Sequence, residues 1–405
     1  MAKIRPFRAL RPEPFLASKI AAVPYDVVNT DEARALAADN RLSCLHVSRS
    51  EIDLPADTNS YADIVYRTAA ERFSAIRAHM LEEAEPALYF YKLRMGAHEQ
   101  TGLAACYSVD EYDAGLVKKH EKTRRDKEDD RTRHITELRA QTGPVFLTYH
   151  ASVSVDAVAA KIATTAPLYD YVAPDRVTHT VWKVTGEDLK AVVEAFDKLP
   201  ALYIADGHHR AASAARTRKG LPPAVGKDGV VEADWFLAVA FPDNQTQVLP
   251  YNRTVKDLAG LTPEAFLGAV KSVFAVRESG PASPAKKGDC AMFLDGKWHT
   301  LDIGAKAGSD VIGRLDVSIL QDRLLDPVLK VADVRTDKRI DFVGGIRGTA
   351  ELERLVTGGK AAVAFSMYPV SVADLMGIAD AGEIMPPKST WFEPKLRDAL
   401  LIHTI

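Results

Sequence analysis

Residues 203–210 read Tyr-Ile-Ala-Asp-Gly-His-His-Arg, and the run Ala-Ala-Ser-Ala-Ala follows at 211–215. The apolar residues at the start predict the end of a strand, and the small residues after the motif predict a helix. Gly207 permits a tight turn between the two that a Cβ would hinder. The start of a helix leaves backbone N–H groups unpaired, and with the helix dipole these attract an anion. The stretch therefore predicts a strand, a turn and a helix around an anion site.

The side chains of the turn indicate which anion it would take. His208, His209 and Arg210 form a compact receptor for phosphate oxygens, and a guanidinium can bind two oxygens at once. Asp206, at the end of the strand, could hold a divalent cation or orient its neighbours. The competing interpretation is an ordinary Asp-Gly turn followed by two solvated histidines, because short motifs often occur by chance.

The composition is that of a globular protein without a global charge signal. The chain has 405 residues, enough for two domains or for one large domain with an insertion. Hydrophobic residues make up 47% of it and charged residues 26%. The formal net charge of −3 gives no overall positive field toward nucleic acid or an anionic membrane, so any anion site must be local. We therefore expect neither as a partner, and the oligomeric state stays open.

The cysteines and the first residues bear on the compartment. Cys44, Cys106 and Cys290 are far apart and form no Cys-x-x-Cys pair. In apolar surroundings they predict buried thiols of a reducing compartment rather than disulfides or zinc ligands. The N-terminal residues lack the apolar core of a signal peptide, and no apolar run reaches the length of a membrane span. We therefore predict a cytoplasmic protein.

Helical and strand patterns occur along the whole chain and predict a mixed α/β fold. Residues 87–93 and 102–109 have the alternation of a β-hairpin. Residues 45–47 predict a short strand. Residues 235–241 and 247–251 predict a second hairpin, because a turn-forming Pro-Asp-Asn lies between them.

His120-Glu121 lies near the start of the densest charge run in the chain, residues 118–131. Such a run is typical of a solvated helix face with ion pairs four residues apart. A carboxylate there could act as general base toward an alcohol. Glu121 is one of 55 acidic residues, so spacing alone cannot select it.

Familiar phosphate-binding and cofactor-binding signatures, such as the Walker sequence and the dinucleotide-binding glycine pattern, do not occur in the sequence. Lys388, Ser389 and Thr390 follow two prolines and suit a rigid phosphate or carboxylate contact. The alternative for them is a polar loop with exposed hydroxyls. Gly-Gly-Ile-Arg-Gly at 344–348 either forms an anion nest with Arg347 or is a plain turn.

Taken together, these stretches resemble a bacterial family known as domain of unknown function 1015, whose members are often described as ParB-like or chromosome-partition proteins. The resemblance extends over almost the whole chain. It rests on Arg-Pro-Phe-Arg-Ala-Leu-Arg-Pro at 5–12, Val-Pro-Tyr-Asp at 23–26, Leu-His-Val at 45–47, the run 120–124, Asp-Gly-His-His-Arg at 206–210, Leu-Pro-Tyr-Asn-Arg at 249–253 and Pro-Lys-Ser-Thr-Trp-Phe-Glu-Pro-Lys at 387–395.

Residues 108–405 further resemble the free-serine kinases, which have a ParB-like fold. In those kinases a His-Glu pair supplies a glutamate that acts on the substrate hydroxyl, and His120-Glu121 matches that pair. Their Asp-Gly-His-His-Arg segment binds the donor phosphates and assists transfer, and residues 206–210 reproduce it. Residues 382–390 match their closing segment, with one additional residue before the Pro-Lys pair. The spacing between the glutamate and the Asp-Gly motif is larger here.

The resemblance implies a fold and a set of residue roles. The fold is α/β with mixed sheets, in which an N-terminal α/β region at 1–107 packs on a ParB-like, serine-kinase-like phosphotransferase domain at 108–405. The implied catalytic residues are Glu121, Asp206, His208 and His209. The implied phosphate ligands are Gly207, His208, His209, Arg210, Lys388, Ser389 and Thr390. Further substrate contacts are expected at His120, Arg124, Arg253 and Arg347, and Asp206 is the candidate metal ligand.

The implied activity is phosphoryl transfer between L-serine and O-phosphoserine, with Mg²⁺ and with ATP, ADP or pyrophosphate as the donor. The net direction stays open. One alternative is a ParB-like nucleotide-binding regulator or DNA-partition protein without small-molecule catalysis. The negative net charge and the lack of a clear helix-turn-helix speak against DNA binding. A weaker alternative is a phosphatase that hydrolyses phosphoserine in the same phosphate pocket.

Overall fold

The computed structural model describes residues 2–226, 228–306 and 308–405 and has the predicted mixed α/β architecture. The chain divides into two compact units. Unit 1 comprises Met1–Thr246 and Pro394–Ile405, and unit 2 is the continuous segment Gln247–Glu393. The predicted boundary between residues 107 and 108 follows the extent of the kinase resemblance and stays a prediction; these residues lie inside unit 1.

Within the described residues before 246, unit 1 has twelve strands and nine α-helices, joined by turns and short 3₁₀ segments. The strands are β1 (Ile4–Arg5), β2 (Leu10–Pro12), β3 (Met80–Glu82), β4 (Leu88–Met95), β5 (His98–Ser108), β6 (Val117–Lys118), β7 (Ala140–Gln141), β8 (Val145–Tyr149), β9 (Tyr169–Val172), β10 (Thr178–Val184), β11 (Leu202–Asp206) and β12 (Trp235–Pro242). The helices are α1 (Ala17–Ile20), α2 (Thr30–Ala37), α3 (Leu45–Ser48), α4 (Asp63–Arg77), α5 (Val109–Asp113), α6 (Arg125–Leu138), α7 (Val153–Ile162), α8 (Gly186–Asp197) and α9 (His208–Gly220).

The main sheet of unit 1 has nine strands in the order β6-β11-β8-β12-β5-β4-β10-β9, with β1 beside β5. Strand β11 is parallel to β6 and antiparallel to β8, and β8 is parallel to β12. The remaining pairs of the sheet, β12 with β5, β5 with β4, β4 with β10 and β10 with β9, are all antiparallel. The predicted hairpin is confirmed as β4 and β5, and Gly96 (φ +61°) occupies the first position of its two-residue turn, where a positive φ favours glycine.

Two hydrophobic clusters of the described residues lie within unit 1. In the first, strands of the main sheet pack against α7, α8 and α9, through residues such as Leu147, Phe196 and Ala211. In the second, the N-terminal helices pack against the end of α6, and Phe73 and Leu138 are among its members. The second core attaches the N-terminal segment to α6, whose other end lies at the loop that carries Glu121.

Unit 2 has a six-stranded antiparallel sheet and a separate two-stranded one. The sheet order is β15-β17-β16-β19-β14-β18, and β13 pairs with β20. The strands are β13 (Gln247–Leu249), β14 (Tyr251–Val255), β15 (Ala275–Glu278), β16 (Asp289–Leu294), β17 (Lys297–Asp302), β18 (Ile340–Gly344), β19 (Val363–Met367) and β20 (Trp391–Glu393), and the helices are α10 (Pro263–Val273), α11 (Asp316–Leu320), α12 (Gly348–Thr357) and α13 (Val372–Asp380). The last strand, β21 (His403–Thr404), returns to unit 1 and pairs with β7.

Two local predictions are wrong. Residues 45–47 lie in helix α3, where all four side chains are buried, and a short apolar run does not distinguish a buried helix from a strand. Residues 235–241 form β12, but this strand is flanked on both sides by β5 and β8 and has no free edge. The following strand, β13, therefore pairs with β20 instead of forming a hairpin with β12.

The cysteine prediction is confirmed: Cys44, Cys106 and Cys290 are free and buried. The charge run at 118–131 is helical only from Arg125 onward, because α6 begins there. Within the described parts of the chain, none of the helices has the length and apolar character that crossing a membrane requires.

Candidate phosphate-binding site

The turn at residues 206–210 has the predicted conformation. Strand β11 ends at Asp206 and helix α9 begins at His208, with Gly207 between them at φ +92° and ψ +29°. A Cβ at Gly207 would lie 3.3 Å from Nε of Arg210 and 3.4 Å from Cα of Val145, so glycine suits both the backbone angle and the space. The free N–H groups at the start of α9 thus lie directly beside the motif's side chains.

Asp206 is held as a charged carboxylate. Its Oδ1 accepts a hydrogen bond from the Gly207 backbone N–H at 2.8 Å, and its Oδ2 accepts one from Nζ of Lys395 at 2.9 Å. Burial alone would raise the pKa of Asp206, but the charges of Lys395 and Arg210 outweigh it and hold that pKa well below its usual range. Asp206 therefore links the turn to the C-terminal residues of unit 1.

The parallel pairing of β6 with β11 brings Glu121 to the turn. Tyr203 lies opposite Lys118 in this pair, so the chain three residues further on places Glu121 beside Asp206 at the same edge of the sheet. Oε2 of Glu121 lies 3.9 Å from Nδ1 of His208. Because 43% of the Glu121 side chain is exposed, its carboxylate can meet a small molecule.

His120 and His208 form a buried pair behind that carboxylate. Their rings are in edge contact with centroids 4.5 Å apart, and the His120 backbone N–H donates to Nε2 of His208 over 3.4 Å. Burial lowers the pKa of His120 to about 4, and burial together with His120 lowers that of His208 well below its ordinary value. Both imidazoles are therefore neutral at neutral pH, and the contact from His120 puts the His208 proton on Nδ1, which faces Glu121.

His209 connects the turn to a second helix start. Its Nε2 accepts a hydrogen bond of 3.0 Å from the backbone N–H of Arg124, the residue that precedes α6. The N-termini of α6 and α9 are thereby held close together, and both favour negative charge. The guanidinium of Arg124 pairs with Asp126 in the first turn of α6, so Arg124 contributes its backbone to this contact.

Arg210 is the permanent cation of the motif. Its Nη1 donates to the Pro144 carbonyl at 2.6 Å, and its Nη2 lies 3.8 Å from Oδ1 of Asp26. Burial opposes its charge, but Asp26 and Asp206 outweigh burial and raise the pKa of Arg210 above its ordinary value. The charge available to a phosphate is thus that of Arg210 and the helix starts, while the histidines act as neutral hydrogen-bonding groups.

The remaining predicted phosphate ligands lie in unit 2. Ser389 is buried and its hydroxyl donates to the Pro386 carbonyl at 2.6 Å, while Nζ of Lys388 lies 5.3 Å above the ring of Tyr251. Lys388 has a positive φ of 58°. Thr390 is half-buried. These residues form a constrained turn within unit 2, and their contact with phosphate stays a prediction.

Arg253 and Arg347 differ in their surroundings. Arg253 is buried in β14, where it donates to the Tyr251 and Lys388 carbonyls, and burial lowers its pKa to about 10. Arg253 therefore stabilises the turn at Lys388 through the hydrogen bond to the Lys388 carbonyl. Arg347 ends a 3₁₀ turn and is exposed.

Several residues of the site in unit 1 were not identified from the sequence. Lys395 pairs with Asp206, Asp398 is buried near Arg210, and the half-buried Arg131 lines the same cavity as Arg210. Lys395 is the last residue of the stretch 387–395 on which the family resemblance rests, so this stretch could have indicated it as a site residue. Asp398 and Arg131 carried no signal, since a charge close to the motif only in three dimensions cannot be recognised from spacing.

The residues present are compatible with Mg²⁺ at Asp206. Both oxygens of Asp206 already accept hydrogen bonds, yet each keeps a further lone pair, and Mg²⁺ takes most of its ligands from phosphate and water. A second group, His120, Glu121 and His208, has ligand atoms within 4.8 Å of one another. Two imidazoles suit a transition metal better than Mg²⁺, so this group is not the Mg²⁺ site.

Comparisons with known proteins give a family and weak structural similarities. A mutant free serine kinase in complex with AMP has 14% identity and a TM-score of 0.37, and the match covers 73% of this chain and 92% of that one. A conserved hypothetical protein from Pyrococcus furiosus has 16% identity and a TM-score of 0.35, with 73% and 95% covered. SbnI from Staphylococcus aureus, truncated at its C-terminus, has 11% identity and a TM-score of 0.36, with 73% and 87% covered. No curated protein matches the sequence.

The family comparison extends over most of the chain. The profile described as "Protein of unknown function (DUF1015)" matches residues 4–318. That segment contains the Asp-Gly-His-His-Arg turn, the Glu121 loop, the greater part of unit 1 and the first half of unit 2. This chain belongs to the DUF1015 family.

Proposed function

We propose that this protein is a small-molecule phosphotransferase that interconverts L-serine and O-phosphoserine, with ATP, ADP or pyrophosphate as the phosphoryl donor or acceptor. The observation that carries the proposal is the position of the Glu121 carboxylate, 3.9 Å from His208 of the phosphate-binding turn. A candidate base and a candidate phosphate receptor thus share one edge of the main sheet. The sequence resemblance to free-serine kinases at both places supports the same reaction.

The turn would receive the donor phosphates. Arg210 and the N–H groups at the start of α9 would meet their negative charge, and His208 and His209 would add hydrogen bonds as neutral imidazoles. Phosphoryl transfer requires mainly positioning and charge stabilisation from the protein, so these groups suffice without a covalent intermediate. Mg²⁺, held by Asp206 together with phosphate oxygens and water, would neutralise further phosphate charge.

Glu121 would act on the acceptor. Its carboxylate takes the proton of the serine hydroxyl while the oxygen attacks the terminal phosphorus and the bond to the donor's leaving oxygen breaks. The neutral His208, with its proton on Nδ1, faces this carboxylate and would keep it oriented. In the reverse direction Glu121 returns the proton to serine.

The direct test is to incubate the purified protein and Mg²⁺ with L-serine and each donor, and separately with O-phosphoserine and ADP, AMP or phosphate. Phosphoserine is followed by ³¹P NMR and mass spectrometry. We expect transfer with at least one donor and its loss in Glu121→Gln but not in Glu137→Gln, an acid exposed on α6. No transfer in either direction would overturn the proposal, and donor-independent release of phosphate from phosphoserine would identify a phosphatase instead.

The same preparation tests the DNA-binding alternative. The formal net charge of −3 supports a small-molecule enzyme, since binding to DNA depends on positive charge. The three free, buried cysteines are consistent with the reducing conditions of the cytoplasm. We expect no salt-dependent association with duplex DNA, and a steep salt dependence of such binding would favour the regulator.

A further inference from the structure

A polar cavity lies next to Arg210 inside unit 1. It has a larger chamber of about 150 Å³ and a smaller one of about 40 Å³. Tyr25, Ser48, Arg131 and His134 line both chambers, so the two are neighbours. Arg210 lines the smaller chamber, which places the cavity beside the phosphate-binding turn.

The cavity is built by segments that the proposed phosphate chemistry does not use. One contribution is Tyr25 of the Val-Pro-Tyr-Asp phrase at 23–26, and another is residues 48–51, which follow the Leu-His-Val phrase. The third wall is α6, which supplies Lys127 and Arg131. The first hundred residues therefore do more than cover the fold, because they close a chamber beside the motif.

The larger chamber carries charges of both signs. Arg49 lies 3.0 Å from Glu51, and Arg131 lies 2.8 Å from Asp130, so each carboxylate is already matched by a guanidinium. Lys127 adds a further cation at the chamber wall, where it donates to the Tyr61 hydroxyl. Cations exceed carboxylates by one among these residues. Such a lining favours a guest that has a carboxylate and also a group able to donate hydrogen bonds.

Four buried polar atoms of the residues that line the cavity have no hydrogen-bond partner among the described residues. They are Oγ of Ser48, Oδ1 of Asp398 and the Nε atoms of Arg49 and Arg210, and of these Nε of Arg49 lies in the ion pair with Glu51. Ser48 and Asp398 are each only 3% exposed, and Ser48 lines both chambers. Buried polar atoms in native proteins nearly always have a partner, so these atoms indicate a polar guest. The set offers a hydroxyl, an acceptor and a donor.

Size limits the guest. The larger chamber, at about 150 Å³, has the size of a protein cavity that holds benzene, so its guest has roughly six or seven heavy atoms. A nucleotide is excluded, and a small polar amino acid fits. Its carboxylate would meet the arginines, and its ammonium would meet the carboxylates and the Ser48 hydroxyl.

We propose that this cavity binds a small polar α-amino acid and that the N-terminal segment of the chain exists to form it. That the bound amino acid is the acceptor of phosphoryl transfer rests on the proposed function; the binding itself does not. The larger chamber thus gives the ammonium and carboxylate of serine partners that the kinase-like motifs alone do not provide, and the smaller chamber next to it is lined by Arg210.

The test is calorimetric titration of the full-length protein with L-serine in the absence of any donor. Ser48→Val removes the hydroxyl and reduces the space, and Arg49→Met removes a cation of the larger chamber. Arg67→Met is the matched control, because Arg67 is exposed on α4, the helix whose Val65 and Tyr66 line the cavity. We expect both cavity variants to weaken serine binding by about tenfold or more, and the control to change it by less than about twofold.

Circular dichroism and thermal unfolding establish that each variant is folded. If Ser48→Val does not fold, Arg49→Met still tests the cavity. Absence of serine binding to the wild type, equal binding by all four proteins, or variant-sensitive binding of inorganic phosphate but not serine would overturn the inference. Variant-sensitive serine binding without phosphoserine formation from any donor would support the cavity and refute the proposed function.

Discussion

Among single residues, Glu121 has the most specific role in the proposed reaction. Replacing it by glutamine keeps the size of the side chain but removes its ability to accept a proton. We expect Glu121→Gln to lower kcat by about 10²–10⁴-fold, the usual contribution of a positioned general base. The dissociation constant for the nucleotide should change by less than about threefold, since the phosphates are bound by other groups. Steady-state kinetics and calorimetry measure the two quantities, and an unchanged kcat would show that another group is the base.

A second residue-scale prediction concerns Lys395, which pairs with Asp206 at 2.9 Å, where the two side chains are 12% and 27% exposed. Lys395→Met leaves the carboxylate without its cation, and we expect the free energy of unfolding to fall by about 2 kcal/mol, between the values for exposed and buried pairs. Urea unfolding of Lys395→Met, Asp206→Asn and the double variant measures the coupling. Lys190→Met, which breaks an exposed pair with Glu187, should change stability by less than about 0.5 kcal/mol. Equal effects at Lys395 and Lys190 would contradict a structural role for the pair.

At the scale of elements, the junction of β11 and α9 depends on Gly207. A side chain at φ +92° is strained by about 1–2 kcal/mol, and its Cβ would also press on Arg210 and Val145. We therefore expect Gly207→Ala to lower the free energy of unfolding by at least this amount and to weaken donor binding. Gly220→Ala, at the other end of α9 with open space around its Cβ, should be neutral or slightly stabilising. Thermal unfolding and nucleotide titration compare the two, and a stable, fully binding Gly207→Ala would contradict this account of the turn.

For the whole molecule, buried titratable groups make stability depend on pH. Burial lowers the pKa of His134 to about 4, against about 6.5 in an unfolded chain. Between these values only the unfolded state binds the proton, so the free energy of unfolding falls as pH falls through this window, by about 3 kcal/mol in total. His134→Gln should remove this part of the acid sensitivity.

Asp398 acts in the opposite sense and provides the internal check. Burial raises its pKa to about 7, so the folded state binds a proton that the unfolded state does not, and this contribution is lost as pH rises from about 4 to about 7. Asp398→Asn should therefore reduce the fall in the free energy of unfolding as pH rises through this range. Chemical unfolding across this range for both variants measures the two slopes, and slopes of the same sign would contradict the assignment.

Unit 2 is a continuous insertion whose ends meet. Gln247 and Glu393 are partners in the β13–β20 pair. Unit 2 can therefore be removed, and Thr246 and Pro394 of unit 1 can be joined by a short Gly-Ser linker. We expect the shortened protein to unfold cooperatively, because its two cores lie within unit 1. Nucleotide binding should weaken but persist, since of the predicted phosphate ligands only Lys388, Ser389 and Thr390 are lost. An aggregated or non-cooperative product would show that unit 1 needs unit 2 to fold.

The sequence by itself determined the local features. Strand, turn and helix at 203–210 followed from an apolar run, a glycine and a run of small residues, and the β4–β5 hairpin followed from alternation on both sides of a polar turn. The DUF1015 family also followed from quoted phrases. The same local patterns misassigned residues 45–47 and the partner of β12, because periodicity describes how a segment is buried and not which segment it pairs with.

Only the tertiary structure decided which of these features belong together. Glu121 reaches the turn at 206–210 because β6 is parallel to β11 with Lys118 opposite Tyr203. Lys395 reaches Asp206 because the last residues of the chain return to unit 1. The cavity beside Arg210 likewise needs the N-terminal segment packed on α6. The physical reason is the same in each case: strand pairing, ion pairing and enclosure join residues far apart in sequence, where spacing carries no information about partners.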